Sequence, residues 1–413
     1  NGTSDFGFGT VILDINDLGV GSYTYTFEAI GTSVSILLGT LTLNNQEKYS
    51  NVSVIEVLGD KPRIDYTDSL TSPSFLLEPQ STNLITFSED FSQWLKQSGG
   101  TGLAPVITSN DAISPDGTKN ADKIVFNKGT GVLASDLSVI SSSSFTSQSN
   151  TASFYIKADS PQKIVFRNST NWQLVNVTTE WQRISKTDTG GGVQIGLRDG
   201  YGISGVPDTA TIYLWGCQAE ALSYATSYIP TAGSTVTRAQ ETCNGAGNVS
   251  TFNSTEGVLY AEMAALTDDQ TSRAITLSNG TTSNEIRLYF NAGSSNQIVA
   301  FLNLSGTYQC VLVYTSSDIT QQSKIAFKYK QNDFSLYIDG VERATDTSGN
   351  TFSSNTLNKL SFAGATNLNN LYGKVKGVYV FNKALTDDEL QQLTGPEYNS
   401  FAALAAAYNY TVI

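Results

Sequence analysis

The sequence predicts an all-β protein: tandem antiparallel β-sandwiches of the jelly-roll kind with a short helical tail at the C-terminus. Three observations predict it. Apolar residues alternate at period two, as where Ile286, Leu288 and Phe290 interleave with Glu285, Arg287 and Tyr289, the pattern of a sheet with one buried face. Turn residues punctuate these runs, most clearly Asp339-Gly340, because Asp and Gly tolerate the positive φ of a type I′ hairpin turn. The length, 413 residues, exceeds what one core serves and asks for two to four units.

In chain order, residues 1–57 alternate in short runs and read as a small β domain, too small to hold a core alone. Residues 58–72, with a Gly-Asp-Lys-Pro stretch, read as a linker. Residues 73–244 form the first full sandwich, with strands expected at 121–126, 151–158, 163–167, 181–186 and 211–219. Within it, 138–149 and 187–192 read as polar loops and 199–208 as a Gly-rich one. Residues 245–395 form the second sandwich, in which Ile325, Phe327 and Tyr329 lead through a turn at Gln331-Asn332-Asp333 to Phe334, Leu336 and Ile338. One helix closes it: Thr386 is the N-cap, Glu389 completes a capping box, Asp387 and Asp388 suit the positive dipole end, and Gly395-Pro396 stops it. In the tail, 396–413, Ser400 can cap a helix carrying Phe401, Leu404, Ala405 and Tyr408 on one stripe.

Composition narrows the function. A net charge of −13 repels a polyanion, so nucleic acid is not an expected partner. No apolar stretch approaches the roughly 20 residues that span a bilayer, so membrane insertion is not expected. The chain has no histidine, which removes Ser-His-Asp and Cys-His nucleophilic systems and His-ligated zinc. The phosphate-cradling glycine motifs are missing as well, which leaves two-carboxylate glycoside hydrolysis as the chemistry to weigh. Cys217, Cys243 and Cys310 are an odd number without close spacing and read as free thiols, although Cys217 and Cys243 could pair if the ends of the first sandwich meet.

Longer stretches carry a resemblance. PSFLLEPQSTNLITFSEDFSQW (73–94) and TIYLWGCQAEALSYATSYIPTAGSTVTRAQE (211–241) resemble the opening and closing segments of the carbohydrate-binding-type module of bacteriophage tail and fibre proteins. LYIDGVERATDTSG (336–349) with VYVFNKALTDDELQQL (378–393) resembles the closing half of a laminin-G/concanavalin A-like lectin sandwich. The resemblance implies a virion appendage on the particle surface, often a homotrimer, that touches host cell-surface polysaccharide and other virion proteins. Hydrolases on concanavalin-like sandwiches line acids along one strand at alternating positions, and no such run occurs here. The chain is therefore read as binding without catalysis, with a ligand-free structural fibre or decoration component, or a polysaccharide depolymerase, as the competing readings.

Sugar recognition needs aromatic faces and planar hydrogen-bonding groups. Trp94, Trp181 and Trp215 lie in strand-like segments and read as packing residues. Trp172, at the polar turn NSTNWQ with Asn171, reads equally as a ligand platform or a hairpin filler; as a platform, Trp172→Ala should weaken binding without altering the melting temperature. Tyr201, in RDGYGISG, is similarly poised, with Arg198 and Asp199 as polar neighbours, on a loop that also suits a flexible connector. The resemblance also leaves room for calcium, with Asp116, Asp122 and Glu220 as candidate ligands and surface salt partners as the alternative.

Overall fold

A computed structural model describes residues 62–396 apart from 68, 70, 169 and 170. The expected N-terminal β domain and the tail helix lie outside the described residues. What is described is all-β, antiparallel sheets paired into two sandwiches, with one short α-helix at Asp387–Thr394.

In the first sandwich, one five-stranded sheet runs Gln173–Val177, Gln162–Arg167, Gln194–Arg198, Leu137–Ser141, Leu95–Gly99. The other runs Gln182–Gly190, Gln148–Lys157, Thr209–Glu220, Ala121–Asn127, Leu103–Ala112. Alternation places Phe154 and Ile156 in the core between them, with Phe166 edge-on to Phe154 at 4.8 Å. Residues 138–149 and 187–192, expected as loops, are partly strand. Ser138 and Ser141 flank the apolar pair Val139-Ile140, and both hydroxyls are used: Asn127 N–H donates to Ser138 Oγ and Ser141 Oγ bonds Gln97 Oε1. Serine belongs in a strand when an adjacent or facing strand takes up its hydroxyl, as Leu95–Gly99 does for Ser141 and Ala121–Asn127 does for Ser138.

The second sandwich pairs a six-stranded sheet with a seven-stranded one around Leu259, Leu277, Leu288, Phe290, Phe327, Phe334 and Leu336. The Asp339-Gly340 turn forms as expected, with φ of 51° and 80°. So does the capping box of the helix, with Thr386 Oγ1 accepting from Glu389 N and the Glu389 carboxylate accepting from Thr386 N.

The expected linker is not a plain connector. Arg63–Asp65 pairs with Ser74–Leu77, and Ser74–Leu77 pairs with Gly373–Phe381, so both are strands of the second sandwich's seven-stranded sheet. The first sandwich is thus inserted between the opening strands of the second and its remainder. Glu78 and Glu241, from the two stretches that frame the first sandwich, meet at this neck. Glu241 N donates to Glu78 O (3.0 Å) and Glu78 N to Glu241 Oε2 (2.6 Å). Arg63 bonds both carboxylates, with Nε 2.6 Å from Glu241 Oε1, and Arg238 Nη1 lies 2.9 Å from Glu78 Oε2. The framing motifs therefore staple the crossing point. All three cysteines are free, Cys217 and Cys310 buried, and burial pushes the Cys310 thiol up to about 12.

Candidate functional site

The strand Gln162–Arg167 turns Ile164 and Phe166 into the core, so Lys163, Val165 and Arg167 take the opposite face by period two, where Val165 is itself fully buried and Lys163 is exposed. Register extends that outer face across the sheet. Gln194 lies opposite Arg167 and Ser141, Gly196 opposite Val165 and Val139, Arg198 opposite Leu137, and Gln97 opposite Val139.

A polar network crosses these strands. Arg167 Nε donates to Gln194 Oε1 (2.7 Å), while Gln194 Nε2 donates to Ser141 Oγ (2.7 Å) and Gln97 Oε1 (3.2 Å). Beside it stands Trp172, with the Arg167 guanidinium 4.7 Å and the Arg198 guanidinium 5.7 Å from the ring centroid. Arg198 also lies 4.6 Å over the Tyr201 ring and donates from Nη2 to its hydroxyl (3.2 Å). Burial, and then the charge of Arg198, lower the pKa of Arg167. A cleft of about 400 Å³ adjoins the network, lined by Ser141, Arg167, Gln194 and residues of the stretches 142–147 and 189–193.

Tyr201 is held by an unusual turn. Gly200 and Ile203 exchange backbone hydrogen bonds (3.2 and 3.0 Å), and the two residues between them, Tyr201 and Gly202, both have positive φ, 56° and 80°. That is the sign pattern of a type I′ turn, in which a tyrosine at the first central position is strained. The residue is 63% exposed.

Of the sequence-predicted residues, Trp172, Arg198 and Tyr201 come together. Asp199 does not join them: it follows Arg198 at the end of a strand, and its carboxylate meets the buried ammonium of Lys128 at 2.8 Å. Asn171 is exposed and its carbonyl accepts from Lys186 Nζ (2.5 Å), a residue of the opposite sheet. Trp172 is only 8% exposed and belongs to the apolar core cluster, so its truncation must cost stability, contrary to the expected unchanged melting temperature. Trp94, Trp181 and Trp215 are packing residues, with Trp94 Nε1 donating to Phe87 O and Trp181 Nε1 to Ile113 O. Sequence reasoning missed Arg167, Gln194, Gln97 and Ser141; the alternation in KIVFR was the available signal for Arg167.

Asp116, Asp122 and Glu220 do not converge on a cation. Asp116 is consumed by its own turn, accepting from Ser114 Oγ, Thr118 N and Thr118 Oγ1. Asp122 is buried and accepts from the backbone of Phe91 (3.0 Å) and Asn110 (2.9 Å); burial pushes its pKa up to about 6, against those two bonds and with help from Asp90 and Glu89. Glu220 accepts from Ser81, Gln218 and Thr226 in the interior. Among the described residues no group of three acidic or thiol side chains could hold a metal ion, so these residues do not fit the calcium expectation.

Residues 248–391 match the family model described as Concanavalin A-like lectin/glucanases superfamily. The matched residues make up most of the second sandwich. No match was found among curated proteins. Among solved structures, the chain is similar to the CBM40 of Ruminococcus gnavus IT-sialidase, at 18% identity over 37% of this chain and 94% of that one, TM-score 0.31. A heptameric SAP-like pentraxin from Limulus polyphemus gives 9% identity over 37% and 74%, TM-score 0.31. Domain 4 of AbnA, an extracellular arabinanase from Geobacillus stearothermophilus in complex with arabinotriose, gives 13% over 36% and 70%, TM-score 0.29. Likenesses of this size carry no functional weight.

Proposed function

We propose that this protein is a phage fibre or tail appendage that binds host cell-surface polysaccharide without cleaving it, through the outer face of the first sandwich. One observation carries the reading: Tyr201, Arg167, Arg198 and the amides of Gln97 and Gln194 share one outer face beside a cleft, with the buried Trp172 packed against the two guanidinium groups. Aromatic faces take the C–H surfaces of a pyranose, and amide and guanidinium groups take its hydroxyls. None of the five strands that carry the face contains Asp or Glu, which supports binding without the paired carboxylates that hydrolysis requires. The virion setting rests on the likeness of 73–94 and 211–241 to phage modules; a trimeric appendage would multiply a weak site into avidity.

Binding of the purified chain to an array of bacterial-surface polysaccharides tests this, with Gln194→Ala as the site control. Binding that Gln194→Ala weakens, without release of reducing ends, is the expected result. A folded chain that binds no glycan would favour a purely structural component, and reducing-end release would make it a depolymerase.

A further inference from the structure

The two arginines on the outer face differ from four other arginines of this protein in their charge balance. They differ from Arg183, which also meets no carboxylate among the described residues but spends Nη2 on Ser153 Oγ and the Thr226 carbonyl, in sharing one ring. Arg63, Arg238, Arg273 and Arg287 each meet a carboxylate at 2.6 to 2.9 Å. Arg167 and Arg198 meet none among the described residues, and they stand against the same indole, where the charge of Arg198 adds to the cost of charging Arg167. Most of their donors are unused. A guanidinium has five N–H groups; Arg167 spends Nε on Gln194, and Arg198 spends one Nη2 hydrogen on Tyr201.

The surrounding sheet is biased the same way. Its five strands hold Lys96, Lys163, Arg167 and Arg198 and no acid, in a chain with 37 Asp and Glu against 24 Lys and Arg. Each of the other three sheets of five or more strands contains at least one Asp or Glu. Lys163 lies on the outer face with Arg167 by alternation. Two like charges held together and left without a counter-charge are costly to the fold, and a bound anion reverses the sign of that cost. The guanidinium fork matches a planar carboxylate with two parallel bonds.

Resting on the glycan-binding reading above, we infer that the outer face recognises an acidic polysaccharide, with a sugar carboxylate seated on the Arg167–Arg198 pair. Gln97, Gln194 and Ser141 then lie beside it for neutral hydroxyls, and Tyr201 for a ring face. Neutral glycans, lacking the carboxylate, leave the two guanidinium groups as they are and bind weakly.

The test is binding of the full chain to immobilised polygalacturonate, hyaluronate and polysialate, each beside its carboxyl-reduced counterpart, with dextran and dextran sulfate as neutral and sulfated arms. Arg167→Gln, Arg198→Gln and the charge-retaining Arg167→Lys are measured in parallel, and melting temperatures report folding. Expected is binding to at least one carboxylate polymer that falls at least ten-fold on carboxyl reduction and at least ten-fold in each Gln variant. Arg167→Lys should keep only part of it, because an ammonium lacks the fork. Equal binding of acidic and reduced polymers, unmoved by the variants, overturns the inference and leaves the glycan reading intact. Binding to dextran sulfate alone replaces the carboxylate with a sulfate and overturns it too. Binding to no polymer by a folded chain overturns the inference, and the polysaccharide array then decides the glycan reading.

Discussion

Both sandwiches set an arginine against an aromatic ring on the outer face of a sheet, and the two faces end in opposite electrostatic states. In the second sandwich, Tyr289, Phe301 and Tyr308 stack edge to face, Arg287 lies 5.2 Å over Phe301, and Glu285 receives Arg287 Nη2 on both carboxylate oxygens at 2.9 Å. In the first, Arg167 and Arg198 lie on Trp172 with no acid. The ingredients are alike, and charge balance separates them. A closed ion pair on packed aromatics adds to the scaffold, whereas an open cation pair adds repulsion to the fold and keeps its donors for something else. The difference teaches that aromatic content alone does not locate a site in a chain with this many rings; two guanidinium groups sharing one ring without an acid do.

Substitutions can break the comparison. The largest expected effect is Trp172→Ala, which removes a buried indole from the core cluster and should cost about 3–5 kcal/mol of unfolding free energy by denaturant titration. An unaltered melting temperature would return Trp172 to the role of an exposed platform. Next is Glu285→Gln. It leaves Arg287 without its counter-charge and should cost about 3 kcal/mol, with no change in glycan binding if the second face is scaffold. Lost binding with intact stability would make the second face the site.

A group on neither outer face gives a control of intermediate size. Asp122 has its pKa raised from 3.8 to about 6, so it stays protonated in the fold over a range where the unfolded chain ionises. Its contribution is intact below pH 3.8 and is lost as pH rises through about 6. Between those limits the melting temperature of Asp122→Asn should gain steadily on that of the parent; parallel curves would show that Asp122 titrates normally. The smallest effect belongs to Tyr201→Asn. Asn tolerates the left-handed backbone better, so stability should rise by about 0.5 kcal/mol while binding weakens. A fall in stability would mean that the Tyr201–Arg198 contact holds the turn.

Much of the fold was legible because its signals are local. Alternation at Ile286, Leu288 and Phe290, the positive-φ turn at Asp339-Gly340 and the Thr386 cap each need only a few neighbouring residues. What was hidden depends on distant pairing. Ser74–Leu77 joins the second sandwich through Gly373–Phe381, and nothing in the four residues SFLL encodes a partner so far along the chain. The site divides in the same way. Trp172 and Tyr201 stood out as aromatics among turn residues, but Gln97, Ser141, Arg167 and Gln194 become neighbours only through register across four strands. Adjacency in sequence does not bring the Asp199 side chain to that of Arg198; its carboxylate goes to Lys128 instead.

The measurement that bears most directly on this account is the affinity of the Arg167→Gln/Arg198→Gln double variant for an acidic polysaccharide, read beside its melting temperature. An open cation pair kept for a ligand predicts binding reduced at least a hundred-fold with folding held or slightly improved, since mutual repulsion is removed. Undiminished affinity, or a collapse of the fold that matches Glu285→Gln, would place Arg167 and Arg198 in the scaffold with Arg287.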